Sequence, residues 1–138
     1  MAVFAGCGGG DDDEQPASLT KAEYVKRADE ICAATEKEQR KLLRQFQQEN
    51  QGAGSGPQVM EEMIRTAALP PLEQQAEELA ELPPPNKEAA KAEAYVAAVE
   101  KASEDVRKEP GTLLATPNAF DKAEDLAREF GFKTCRGA

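Results

Sequence analysis

The sequence contains no histidine and no tryptophan, and its three cysteines, Cys7, Cys32 and Cys135, lie far apart along the chain. Histidine is the commonest general base in enzymes and the commonest side-chain ligand of transition metals. Paired cysteines at short spacing, which structural zinc sites require, are also missing. We therefore predict no catalytic residue, no metal site and no cofactor.

Strongly apolar residues are scarce as well. Leu, Ile, Val and Phe together account for 23 of the 138 residues, and the net charge is -9, a balance that approaches the composition of disordered chains. No run of about 18 apolar residues is present, which excludes a transmembrane helix in the sequence as given. The negative charge argues against a nucleic-acid partner, because such binding depends on cations that neutralise phosphates.

Helix-forming residues are abundant, and their apolar members recur at helical spacing. The first predicted helix spans Thr20 to Asn50 and begins with a capping box formed by Thr20 and Glu23. The second spans about Gln58 to Leu82. Pro70-Pro71 removes two amide donors inside it, so we expect a kink or a break there.

Two further helices follow a triple proline. We expect Asn86 to cap the third, and Thr116 with Pro117 to begin the fourth. The fourth helix should end at Gly131, in a left-handed conformation. These segments predict an all-α fold: a four-helix up-and-down bundle over residues 18–138 with a kinked second helix.

The first seven residues end in Phe4-Ala5-Gly6-Cys7, which resembles the lipobox of bacterial lipoproteins. That resemblance implies a diacylglyceryl group on Cys7 and cleavage before it. Since a signal peptide needs a longer apolar stretch, we expect either a start codon upstream of Met1 or a sequence that was shortened there. The glycines and acids that follow suit a spacer. We predict that residues 1–17 are a signal remnant and a flexible acidic tether to the membrane. The alternative is a disordered N-terminus with an incidental cysteine.

With Cys7 assigned to the lipid, Cys32 and Cys135 remain as a pair. Cys32 lies on the apolar stripe of the first helix, and the turn at Gly131 would bring Cys135 back toward it, so we predict a disulfide. Two free thiols in a cytosolic bundle are the alternative. The stretches LTKAEYVKRADEICAATEKE and FGFKTCRG also resemble small secreted or lipid-anchored helical proteins of high-GC Gram-positive bacteria, a resemblance that implies the same disulfide and an envelope location.

The functional prediction is a non-catalytic, extracytoplasmic domain anchored to the cell membrane by lipid. Its partner would be an envelope protein, a cell-wall component or a small apolar ligand. The alternative is a carboxylate-dependent extracytoplasmic hydrolase, which requires a cleft with two buried carboxylates about 5 to 10 Å apart.

Overall fold

The computed structural model describes residues 18–137. A π-helical turn joins the second α-helix to the third without a break, so this part of the chain contains four α-helical segments, a 3₁₀-helix at Pro110–Leu113 and, apart from one isolated β-bridge, no strand. The prediction of an all-α fold is confirmed. The α-helices are α1 (Lys21–Glu49), α2 (Pro57–Met63), α3 (Leu69–Glu81), α4 (Ala89–Lys108) and α5 (Asp121–Phe130).

Helix α1 begins and ends where its sequence predicts. The Thr20 hydroxyl accepts a hydrogen bond from the Glu23 amide at 3.1 Å, and the Glu23 carboxylate accepts one from the Thr20 amide at 3.0 Å. This capping box satisfies two amides that have no partner inside the helix. At the other end, the Asn50 amide donates to the Phe46 carbonyl at 3.0 Å.

The two adjacent prolines do not break the second segment. Pro70 and Pro71 lie in the first turn of α3, where a missing amide is tolerated. Just before them, residues Ile64–Ala68 form the π-helical turn, and the Leu69 amide donates to the Ile64 carbonyl five residues earlier.

The predicted cap of the third segment is wrong. The Asn86 amide donates to the Leu19 carbonyl at 2.7 Å, while the Leu19 amide donates to Pro84 at 3.0 Å, so Asn86 belongs to a bridge that ties residue 19 to the triple proline. Helix α4 instead begins after Glu88, which has a φ of 59°.

The predicted start of the fourth segment is also wrong, because α5 begins at Asp121 and not near Thr116. The Asn118 side chain provides the reason. The Asn118 Oδ1 accepts a hydrogen bond from the Phe120 amide at 2.7 Å. The backbone amide of Asn118 donates to the Asp121 carboxylate at 2.8 Å. This local turn satisfies the amides that a helix from Thr116 would otherwise have used.

Helix α1 packs on α3, α3 on α4, and α4 on α5. Alanines fill much of the shared core, but its bulk is concentrated in a cluster of four aromatic rings from Tyr24, Tyr95, Phe130 and Phe132, each at most 2% exposed. Ring centroids lie 4.8 Å apart for Tyr95 and Phe132, and 4.9 Å apart for Phe130 and Phe132. Each such pair contributes about 0.5–1.5 kcal/mol beyond the area it buries.

Candidate functional site

Cys32 and Cys135 form a disulfide, with their Cα atoms 5.2 Å apart and 103 residues of sequence separation. The predicted pairing is confirmed, and the alternative of two free thiols is wrong. Cys32 is 3% exposed, and its Sγ lies 3.8 Å from the Tyr95 hydroxyl, which is the donor because the sulfur carries no proton. The bond therefore lies against the aromatic cluster and holds the C-terminal segment on α1.

One turn before Cys32 along α1, the Asp29 carboxylate makes a second attachment to the same segment. Three consecutive backbone amides donate to it: Lys133 at 3.1 Å, Thr134 at 2.8 Å and Cys135 at 3.0 Å. Successive amides directed at one anion form a concave site that compensates its charge. We call this arrangement the Asp29 cradle.

Gly131 directs the chain into the cradle. Its φ of 103° is a left-handed conformation that glycine adopts without strain. The Phe132 amide then donates to the Ala127 carbonyl at 3.0 Å, which closes the end of α5, and the Phe132 ring enters the aromatic cluster. The backbone from Lys133 onward consequently runs along α1, as the sequence predicts from Gly131.

Between α1 and this returning segment lies an open groove of about 920 Å³. Carbon atoms, including those of the lysine stems, form most of its surface, and we call it the lysine groove after the cations at its edge. The lining includes Ala22, Val25, Ala33 and Phe130, together with Lys21, Lys26 and Lys133.

The lysines and acids that line the groove do not pair with one another. Lys21 pairs with Glu88 and lies over the Phe130 ring, 4.8 Å from its centroid. Asp29 is occupied by the cradle amides, which leaves Glu30 as the acid without a hydrogen bond. Lys26 and Lys133 are exposed and form no ion pair with any residue of 18–137. Counted together with Glu88, the groove has three cations and three acids, and Lys26 and Lys133 are its cations without an ion pair in residues 18–137.

The surroundings of Glu88, Tyr24 and Tyr95 shift the pKa of each of these groups. Hydrogen bonds from Lys21 and then Lys91 lower the pKa of Glu88, so Glu88 stays ionised and compensates Lys21. Burial raises the pKa of Tyr24, with a smaller contribution from the charge of Glu93. Burial likewise raises the pKa of Tyr95. Both phenols therefore stay neutral beneath the groove.

Of the predicted site residues, the structure brings Cys32 and Cys135 together, whereas Cys7 and the tether lie outside the described residues. In residues 18–137 no group of three or more acids, cysteines or histidines is placed to hold a metal ion. None of the helices in that range combines the length and apolar character needed to cross a bilayer. Comparison with protein-family models, curated proteins and solved structures finds no match for this chain.

Proposed function

We propose that this protein is a non-catalytic, extracytoplasmic binding domain, anchored to the cell membrane through a lipid on Cys7, that holds an anionic amphiphile in the lysine groove. The observation that carries the proposal is the combination of an apolar groove with two cations that have no acidic partner in residues 18–137. An acyl chain would lie along Val25 and the edge of Phe130. A phosphate or carboxylate head group would pair with Lys26 and Lys133.

The size and composition of the groove suit such a ligand. Small-molecule sites usually measure about 300–1,000 Å³ and combine a mostly apolar lining with a few placed polar groups. At about 920 Å³ the lysine groove lies within this range. A lysine contributes to such a site as a point charge on a flexible stem, which tolerates several anionic head groups.

The proposed anchor places the groove within reach of a membrane. Ten residues separate Cys7 from Ser18. Such a length of chain spans at most about 35 Å when fully extended. The groove begins at Lys21, so a lipid on Cys7 would keep it near head groups of the bilayer. Two signals of this kind, an acyl anchor and cationic side chains, support stable membrane association.

The proposal includes an up-and-down arrangement of the four helical segments, with the second segment kinked at its π-helical turn. Packing of each segment on the next one along the chain supports this arrangement. Residual dipolar couplings measured on α2 and α3 would give the angle between the two helix axes, and parallel axes would contradict the kink.

The hydrolase alternative has less support. It requires two buried carboxylates in one cleft. The buried polar side chains in residues 18–137 are those of Thr35, Gln75 and Ser103, and every acid in that range keeps more contact with solvent than these do. No observation favours that reaction over binding.

Titration calorimetry on the full chain tests the binding function. We expect monoacyl phosphatidylglycerol, below its critical micelle concentration, to bind more tightly than monoacyl phosphatidylcholine of the same chain length. Lys26→Glu and Lys133→Glu should each weaken the binding by about tenfold or more. Lys37→Glu is the matched control, because it makes the same charge change on an exposed part of α1 outside the groove.

Equal affinity for the two lipids, or equal effects of Lys26→Glu and Lys37→Glu, would contradict an anion site in the groove. Binding of a cell-wall fragment or an envelope protein with no binding of either lipid would replace the proposed ligand with one of those partners.

A further inference from the structure

A second cavity, of about 220 Å³, lies where α1, α3, the chain before α5 and the C-terminal segment meet beside the disulfide. An engineered cavity of about 150 Å³ holds benzene, so this one has room for a molecule of roughly ten non-hydrogen atoms. Its lining differs from that of the lysine groove, because it contains carboxylates and amides but no lysine or arginine.

The carboxylates are those of Glu36 and Glu124. Glu36 is exposed, whereas Glu124 is half-buried. The nearest cation to Glu124 is Arg128, whose Nη2 lies 3.6 Å from its carboxylate, which is at the long end of ion-pair distances. Burial raises the pKa of Glu124, and the charges of Asp121 and Asp125 raise it further against the opposing effect of Arg128. The ionised form of Glu124 is therefore incompletely compensated.

The Gln75 side chain is separate evidence for a ligand site in this cavity. It is 9% exposed, it lines the cavity, and its amide makes no hydrogen bond to another residue of 18–137. The amide atoms are open to solvent, since Ser103 Oγ is the buried side-chain polar atom of residues 18–137 that has no hydrogen-bond partner. An amide that lacks a partner in the protein and is directed into a cavity is available to a bound molecule. The neighbouring Gln39 uses its Nε2 on the Ala68 carbonyl at 3.0 Å, so its Oε1 is available as an acceptor.

We propose that this cavity is a binding site for a small primary amine, whose ammonium group pairs with Glu124 and donates to the side-chain carbonyl of Gln75. Two carboxylates and two side-chain amide oxygens, with no lysine or arginine in the lining, favour a positive ligand over a neutral or negative one. The apolar remainder, which includes Leu72, Val99 and Phe120, would enclose a short hydrocarbon body. This site is distinct from the lysine groove and does not depend on the function proposed for it.

Benzylamine, benzyl alcohol and benzoate are matched probes, because they share a ring and differ in the charge of the polar group. We expect a titration of the full chain, followed by two-dimensional ¹H–¹⁵N NMR, to show saturable shifts of the Gln75 side-chain amide with benzylamine. Benzyl alcohol should bind at least about tenfold more weakly, and benzoate should produce no shift there.

Glu124→Gln keeps the shape of the side chain and removes its charge, and it should weaken benzylamine binding by about tenfold. Glu129→Gln is the control, since Glu129 is an exposed acid on the same helix that does not line the cavity. Gln75→Leu should also weaken binding while the Glu129→Gln variant binds as the wild type does.

Three results would overturn the proposal. The first is the absence of any Gln75 shift up to about 10 mM benzylamine, which would mean that the cavity holds only water. The second is equal binding of benzylamine and benzyl alcohol. The third is an unchanged affinity in both Glu124→Gln and Gln75→Leu, provided that the spectra of the two variants show the wild-type fold.

Discussion

Replacing Asp29 with alanine should destabilise the protein by about 3 kcal/mol, because the three amides of the cradle lose their common acceptor. A hydrogen bond to a charged group contributes about 1.5–3 kcal/mol. The full sum is not expected, since Lys133 is exposed and Thr134 is half-buried, and water can replace the carboxylate at both amides. For a domain of this size, about 3 kcal/mol corresponds to a fall in Tm of about 10 °C.

Asparagine at position 29 removes the charge and keeps one acceptor oxygen. The amides of Lys133, Thr134 and Cys135 all lie within 3.2 Å of Oδ1, which asparagine retains. Only the Oδ2 contact with Lys133, at 3.1 Å, would become a contact between two donors. Asp29→Asn should therefore cost about 1 kcal/mol, well below the cost of Asp29→Ala.

Urea denaturation under oxidising conditions, monitored by far-ultraviolet circular dichroism, measures both variants. Glu30→Ala is the control, because Glu30 is the adjacent exposed acid and makes no hydrogen bond in residues 18–137. It should change the free energy of unfolding by less than about 0.5 kcal/mol. If Asp29→Ala and Glu30→Ala lower the free energy of unfolding equally, the cradle does not contribute to stability.

Four further predictions concern the disulfide, the first cap and the anchor. Reduction of Cys32–Cys135 should lower Tm by more than about 10 °C, since closing a loop of about 100 residues is worth about 4.7 kcal/mol in the chain-entropy model; an unchanged Tm would contradict this. Thr20→Ala should lower the free energy of unfolding by about 1 kcal/mol, because the helix loses its N-cap side chain. Hydrogen bonds from the backbone and side chain of Thr20 lower the pKa of Glu23. A carboxylate whose pKa is lowered by folding stabilises the folded state at pH values above its pKa in the unfolded chain. This stabilisation is lost as the pH falls through its pKa in the folded protein. Glu23→Gln should consequently flatten the acid limb of a plot of stability against pH, and an identical acid limb would contradict the role of the carboxylate. Mass spectrometry of the protein from its own host should find a lipid adduct on Cys7, whereas an unmodified chain beginning at Met1 would contradict the anchor.

Local signals in the sequence account for the parts of the fold that were predicted correctly. The capping box joins residues three apart, and the turn at Gly131 depends on one residue and its neighbours. The disulfide spans most of the chain, yet it was predictable because few cysteines are present and Cys32 lies on an apolar stripe.

The parts that were missed depend on contacts between distant residues or on competition between local motifs. Asp29 looks like any acid on the solvent side of α1, because its partners lie 104 to 106 residues further along the chain. At Thr116 the sequence shows a good helix start, but Asn118 offers a tighter turn two residues later. The Asn86 amide donates a hydrogen bond to the Leu19 carbonyl, and no pattern in the sequence near Asn86 indicates this contact.

The candidate sites were less predictable than the fold. Lys26 and Lys133 come from opposite ends of the chain, and only the return of the C-terminal segment onto α1 places them along one groove. Gln75 and Glu124 likewise occupy polar positions in two different helices. Whether their polar groups are available to a ligand depends on which neighbours form hydrogen bonds or ion pairs with them, and only the folded structure shows these neighbours.

The measurement that tests the binding function most directly is a map of where an anionic amphiphile binds. Monoacyl phosphatidylglycerol, titrated into the ¹⁵N-labelled full chain, should shift the amide signals of Val25, Lys26, Gly131 and Lys133, which border the lysine groove. Signals of Leu72 and Gln75, which line the second cavity, should stay in place. Shifts confined to the second cavity, or no saturable shift along the groove, would contradict the proposed function.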